Sequence, residues 1–429
     1  MAKVHWLLGW LLVVGCGDLV GCSETEGPAG EGAGETGDGC ARFAGRLIEN
    51  ARLPSGFCAY AWALDVPEAR GIVVDGQGDV LVVARGAGQV LRLFDANGDG
   101  VSDARERGVV AQAPGLNHGI ALHDGYLYAS SASTVYRWRY SAARAPLGAR
   151  ETVVTGIPAT GHSTRTLAFD RSGSLYVSVG SGSNVDRDSS RARIRRFGAS
   201  RLRALPLSFN SGEVFADGLR NEVGLRFDSQ DRLWGIENGV DQLNRADLGG
   251  DIHNDNPGEE LNLFTSPGAF YGYPYCFSEF RLPGRGLGPG TQWVHPDFQR
   301  DGVHSDAWCR DPRNVVPPVL SLQAHSAPLD LLFYTGGSFP AGMRGDLFVG
   351  YHGSWNRTPE TGYKVVRVPF GADGKPSGEA EDFFRYDSSS ARQRSEWPHR
   401  PVGLAQAASG DLLVTSDASN QVIAIHYGL

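Results

Sequence analysis

A short unit recurs six times along the chain: two strand-like runs of alternating apolar and polar residues joined by a tight turn. "ARGIVVDGQGDVLVVARGAGQVLRL" from Ala69, "NHGIALHDGYLYASSASTVYRW" from Asn117 and "HSTRTLAFDRSGSLYVSVG" from His162 are three copies. "NEVGLRFDSQDRLWGIENGVDQL" from Asn221, "PLDLLFYTGGSFPAGMRGDLFVGYHGSW" from Pro328 and "RPVGLAQAASGDLLVTSDASNQVIAI" from Arg400 complete the set. Their equivalent first-strand positions are Ile72, Ile120, Leu167, Leu225, Leu331 and Leu404. Self-similarity at roughly 40 to 50 residues, with several short strands per unit, is the signature of a β-propeller. The chain is therefore expected to be all-β, a six-bladed β-propeller over residues 40–429. The long interval between Leu225 and Leu331 is assigned to an insertion from Asp251 to about Leu320, with no blade missing.

The N-terminal "MAKVHWLLGWLLVVGCGDLVGC" carries one lysine, an apolar run too short to span a membrane, and then small residues ending in cysteine. Residues 1–22 are expected to be an export signal. "VVGC" at Cys16 and "LVGC" at Cys22 both resemble bacterial lipoprotein processing sites; Asp18 interrupts the apolar run before the second, which favours Cys16. Without lipidation the same segment is a plain secretory signal. Residues 23–39, rich in Gly and Glu, have almost nothing to bury and read as a flexible tether. The expected location is periplasmic or cell-surface, with a lipid anchor as the only membrane contact. Export permits disulfides, with Cys40 to Cys58 and Cys276 to Cys309 as the natural pairing against the alternative of free buried thiols. The net charge of −8 argues against a nucleic-acid partner.

In a propeller blade the innermost strand starts at one end of the central channel and the second returns to that end. Residues before first strands and after second strands therefore share one rim. Before first strands stand Arg70, Asn117, His118, His162, Arg165, Arg220, Asn221, His325, His399 and Arg400. After second strands stand Arg85, Asn184, Asn238, Asp241, His352, Trp355, Asn356 and Arg357. An acidic protein that gathers arginine and histidine at one mouth is suited to an anionic ligand, and arginine in particular to carboxylates. The bland account is that these polar residues satisfy backbone groups where the blades join.

Hard oxygen donors stand in the same region. "GIENGVDQL" and "GGDIHNDNPGEELNLF" either hold calcium or neutralise the arginines. A sharper calcium pattern is "DANGDGVSDARE", which puts Asp95, Asn97, Asp99, the Val101 carbonyl, Asp103 and Glu106 at the ligand positions of an EF-hand-type loop, with Gly100 at its sharp turn. Its flanks are strands, so a calcium-stapled blade turn is expected rather than a sensor.

The motifs "GHSTRTLAFD", "GLRNEVGLRFD", "LWGIENGVDQL", "AFYGYPYC", "GYHGSWNR" and "RPVGL", in this order, resemble those of the pyrroloquinoline quinone (PQQ)-dependent sugar dehydrogenases, in their sorbosone and pyranose dehydrogenase branch. The resemblance runs from about Leu53 to Ile425 and implies a six-bladed propeller with PQQ and Ca²⁺ at one end of the channel. It implies that His162 is the general base, with Arg220 and Asn221 on the quinone side of PQQ and Arg220 counted with the catalytic groups. Asn238 would stand near the metal, which takes the carbonyls of Gly239 and Val240. Arg400 and Arg357 would meet cofactor carboxylates, with Arg165 a further cofactor-side cation. His399, in "EWPH", stands where soluble glucose dehydrogenases carry a second arginine. The implied substrate is a sugar, sugar aldehyde or polyol. Electrons would pass to an external acceptor such as a separate cytochrome, since the chain has no CxxCH haem motif.

Two other functions fit a six-bladed propeller: a Ca²⁺-dependent lactonase and a non-catalytic propeller that grips a glycan or protein. A lactonase wants several carboxylates on the axis, where this sequence places mostly Arg, His and Asn. Phe270, Tyr271, Tyr273, Tyr275 and Trp293 in the insertion either shape a sugar pocket over the rim or form a disulfide-tied core of their own.

Overall fold

Each repeat folds into one antiparallel sheet, and six such sheets surround a channel, in a computed structural model that describes residues 38–387 and 396–428. The expected export signal, with Cys16 and Cys22, lies outside the described residues, as does the tether as far as residue 37. The inner strands of the six blades are Ala69–Val74, Leu116–His123, Leu167–Phe169, Glu222–Phe227, Pro328–Phe333 and Pro401–Gln406. They adjoin one another in a closed ring, with Ala69–Val74 meeting Pro401–Gln406. The six aliphatic residues picked from the repeat all lie on these strands. Hydrophobic layers fill the spaces between neighbouring sheets, for example Leu81, Val83, Val90 and Trp138 between the first and second blades.

The sixth blade is completed from the other end of the described chain. Phe57–Ala63 pairs antiparallel with Gln421–Tyr427 as its outermost strand. Two disulfides form as expected, Cys40–Cys58 beside this closing strand and Cys276–Cys309 in the later insertion.

The insertion has different limits from those expected. Glu259–Phe264 and Leu320–Leu322 are the third and fourth strands of the fourth blade, so residues 251–320 are not one excursion. The third strand escaped notice because its buried positions include Glu259, Glu260 and Asn262, which break the apolar alternation that marks a strand. Between these two strands, Ala269–Phe270 adds to the edge of the third blade, and Cys276–Ser278 pairs with Gln292–Val294 in a separate hairpin. Tyr273 and Trp293 are buried in the insertion's own core, and Tyr271 in the layer between the third and fourth blades, so none of them overhangs the rim as a free ring.

Glycines set the spacing of the inner ring. A Cβ on Gly71 would stand 2.1 Å from the His118 carbonyl oxygen, one on Gly119 2.0 Å from that of Arg165, and one on Gly403 2.6 Å from that of Arg70. At the matching place in the third blade Thr166 instead donates its hydroxyl to the Val223 carbonyl. The inner strands shift register at this level in five blades, between Ala69 and Ile72, Leu116 and Ile120, Glu222 and Gly224, Pro328 and Asp330, and Pro401 and Leu404. Such bulges bend a strand and re-aim the side chains beside them. Gly119→Ala is expected to cost about 2–3 kcal/mol in urea denaturation, while Gly108→Ala, with open space around it, should leave the midpoint unchanged. Equal stability of the two variants would contradict this account of the ring.

Candidate active site

His162 sits on the segment that enters the third blade, and its neighbours fix its proton. Its Nδ1 lies 3.0 Å from Ser181 Oγ, while Ser181 Oγ donates to the Ser183 carbonyl at 2.7 Å. A hydroxyl has one proton, so Ser181 must accept from His162, which places the imidazole proton on Nδ1 and leaves the Nε2 lone pair available. Nε2 makes no hydrogen bond among the described residues. Burial, and then the nearby Arg220 guanidinium, lower the His162 pKa to about 4, so the ring is neutral at pH 7. The loop is braced from the second blade, where Asn117 Nδ2 donates to the Ser163 carbonyl at 2.7 Å.

The fourth blade delivers Arg220 and Asn221 to the same spot. A Cβ on Gly180 would stand 2.6 Å from His162 Cβ and 2.7 Å from Asn221 Oδ1, so this glycine lets the histidine and the asparagine flank one point of backbone. Arg220 is buried, and its Nη2 reaches Asp241 Oδ2 at 2.7 Å and Asn184 Oδ1 at 3.0 Å. Its Nη1 donates to the Asn238 carbonyl at 3.2 Å. Asn238 turns its amide to the Pro328 carbonyl at 2.8 Å, bridging the fourth and fifth blades. The next residues are held from below: Glu259 accepts the N–H groups of Gly239 at 2.7 Å and Ala327 at 3.1 Å, and burial pushes its carboxyl up to about 8. The carbonyls of Gly239 and Val240 accept no hydrogen bond among the described residues, which leaves two adjacent oxygens of the hard type that calcium takes.

Arg400 donates to the carbonyls of His352 and Gly353, both at 3.0 Å, and lies over the Tyr363 ring. Its Nη1 makes no hydrogen bond among the described residues. Arg357 pairs with Asp255 at 2.7 Å and leaves a buried Nε without a partner. Arg70 Nε, His118 Nδ1 and Asn117 Oδ1 are likewise buried and unpartnered on this rim. Trp355 is 73 % exposed. Its neighbour Asn356 donates to Asp241 Oδ1 at 2.8 Å, which connects this loop to Arg220.

Three placements depart from the sequence reading. Arg165 is fully buried, and its guanidinium is committed to the carbonyls of Ala132, Pro158, His162 and Thr164. It shapes the segment that carries His162 and offers nothing to a ligand on the rim, because all three of its nitrogens are spent on backbone. Carboxylates are also more numerous on the rim than expected. Asp417, which the sequence reading missed, binds both Arg70 and His352 at 2.9 Å. It stands in "SDASN" directly after the second strand of the sixth blade, the offset that supplied the other rim residues, so the repeat itself held the signal.

The EF-hand-type loop joins the third and outer strands of the first blade, and carboxylate oxygens of Asp95, Asp99 and Glu106 all come within 4.8 Å of one another. Asp103 is drawn away, with both oxygens bound by Arg105. Asn97 is engaged with Asp99 through its own amide, and Val101 follows with its N–H on Asp99. Of the four carboxylates in the expected set, three are therefore gathered.

The model of the TrAA12-like family matches residues 51–428. A PQQ-dependent pyranose dehydrogenase of Coprinopsis cinerea is 35% identical over 398 residues, 83% of this chain and 52% of the relative, so the chain spans about half the length of that protein. A PQQ-dependent sugar dehydrogenase of Hypocrea jecorina is 32% identical over 385 residues, 83% of this chain and 84% of the relative. The solved holo form of the PQQ domain of the Coprinopsis pyranose dehydrogenase superposes with a TM-score of 0.76 at 32% identity, covering 88% of this chain and 97% of that one. The resemblance seen in the motifs thus holds along the whole propeller, and the chain belongs to the TrAA12-like family.

Proposed function

We propose that the chain is a quinoprotein that oxidises a sugar, sugar aldehyde or polyol and passes the electrons to an external acceptor such as a separate cytochrome, working outside the cytoplasm after export. The observation that carries this reading is His162: neutral, with its proton held on Nδ1 and its Nε2 open, beside Arg220 and Asn221. The names of its relatives supply the cofactor. The rim suits a planar polyanion, since Arg70, Arg357 and His118 keep buried, unpartnered nitrogens there.

When bound, PQQ would supply the quinone carbon that accepts a hydride. His162 Nε2 takes the proton of the substrate hydroxyl as the carbon bearing it loses hydride, leaving a carbonyl product. Arg220 and Asn221 would hold the quinone side of the cofactor and supply hydrogen-bond donors there, and Arg220 is held in place by Asp241 and Asn184. Arg400 and Arg357 are the candidates for cofactor carboxylates. The Gly239 and Val240 carbonyls would bind Ca²⁺ beside the cofactor, and a second Ca²⁺ would fit the Asp95, Asp99 and Glu106 loop. The exposed Trp355 offers a sugar ring a stacking face. The lactonase reading loses ground, because the rim carboxylates are engaged: Asp241 by Arg220 and Asn356, Asp417 by Arg70 and His352, Glu259 by two backbone N–H groups.

Titration of the apo-protein with PQQ, followed by the cofactor's absorbance, should show saturable binding that depends on Ca²⁺. Folded protein that ignores PQQ in the presence of calcium would reject the proposal. His162→Ala should retain PQQ and lose about 10²–10⁴-fold in kcat of dye-linked sugar oxidation; full activity in that variant would remove His162 from the mechanism. Because the folded pKa of His162 lies below its ordinary value, the base form persists as pH falls through 6.5 and is lost only near 4. The acid limb of kcat/KM should accordingly lie well below pH 6.5, and an acid limb at 6.5 would show that the ring titrates as a solvated histidine.

A further inference from the structure

Behind the strands that carry Arg220, Asn221 and Asn238 lies a chamber of buried polar side chains. Glu222 stands opposite Glu237, and Glu237 opposite Glu260, on three adjacent strands of the fourth blade. Directly paired residues share a face, so three carboxylates line up on one side of the sheet, and all three are buried. Like charges in that position repel, and burial without compensation multiplies the cost.

The surroundings are built around them. A Cβ on Gly235 would stand 2.1 Å from Glu222 Oε1, so this glycine makes room for the Glu222 carboxylate over the sheet. Gly235 pairs with Asn262, whose amide nitrogen reaches Glu260 Oε2 at 3.4 Å. The roof is the hairpin of Cys276–Ser278 and Gln292–Val294, in which Ser278 and Gln292 are themselves opposite one another and face Glu260.

Both oxygens of Glu222, Asn262 Oδ1, Ser278 Oγ and both polar atoms of Gln292 are buried and make no hydrogen bond. Five of these six atoms are oxygens. The nearby Arg220 gives Glu237 its backbone N–H and sends its guanidinium elsewhere.

We propose that this chamber is a structural calcium site, in which Glu222, Glu260, Asn262, Ser278 and Gln292 give oxygen ligands to one buried Ca²⁺. It is distinct from an ion at the Gly239 and Val240 carbonyls and from the Asp95 loop. Calcium accepts six to eight hard oxygens in adaptable geometry, from carboxylates and amide carbonyls alike, whereas Mg²⁺ demands a near-ideal octahedron and retains water. The absence of thiolate or imidazole donors among these ligands disfavours zinc. An ion here would fasten the disulfide-tied insertion to the strands bearing Asn221 and Asn238.

The test uses the full chain without PQQ, with Asp95→Asn and Asp99→Asn to remove the loop site, dialysed against EGTA to strip any ion from the rim. Atomic emission should find one calcium per chain. Unfolding in EGTA and refolding without calcium should lower Tm by more than about 5 °C, restored when calcium is present during refolding. Adding Glu222→Gln and Glu260→Gln should abolish both the retained ion and the calcium-dependent Tm. No retained calcium together with a Tm indifferent to calcium during refolding would overturn the proposal. So would glutamine variants as stable as their parent, the result expected of a chamber filled by protonated carboxyls and water. Should the glutamine variants not fold, ion content and refolding of the parent decide alone.

Discussion

The close approach of neighbouring inner strands is the contact on which the rest of the molecule depends. Where Gly71, Gly119 and Gly403 face the carbonyls of His118, Arg165 and Arg70, each blade touches the backbone of the next with no side chain between them. The amide groups at this level are not left bare: Gly119 donates to Ser130 Oγ and Gly403 to Thr415 Oγ1, and these hydroxyls donate in turn to the carbonyls of Arg165 and Arg70. One hydroxyl thus satisfies two backbone groups and joins two blades. The bulges at the same level lie beside Arg70, Asn117, His118, Asn221 and Arg400, so the device that closes the ring also aims the rim.

The electrostatics of that rim are a balance rather than a surplus of positive charge. Arg220, Arg357 and Arg70 each meet an aspartate, and these pairs hold long side chains still in a partly buried place. What remains free is a set of single nitrogens on otherwise anchored groups. A ligand with carboxylates meets donors whose positions are already fixed, and so gives up less freedom in being ordered. The same burial keeps His162 uncharged, which suits a base and would not suit a cation.

The repeat made much of this legible. A hairpin with an aliphatic residue at a constant offset reveals the blades, and the offset before and after the strands finds His162, Arg220, Asn221, Asn238 and Arg400. The role of Arg165 was hidden because four carbonyls from three stretches of chain converge on it, and no local pattern announces that. Glu222, Glu237 and Glu260 are far apart in sequence, and only the register of three strands sets them side by side. Asp417 differs, since it is readable from the repeat as the residue that follows the second strand of the sixth blade.

The strand Phe57–Ala63 that completes the sixth blade has a consequence for how the molecule comes into being. Its partner Gln421–Tyr427 comes from the far end of the propeller, and Arg42 meets His426 across 384 positions of sequence. Until that distant partner arrives, the first strand has exposed edges, and the ring stands open with two unsatisfied faces. Blades can form one by one as they are synthesised, but the circular seal must wait for the sixth. The contact that locks the ring is therefore one that no blade can supply alone, and it withholds closure until both distant strands have met.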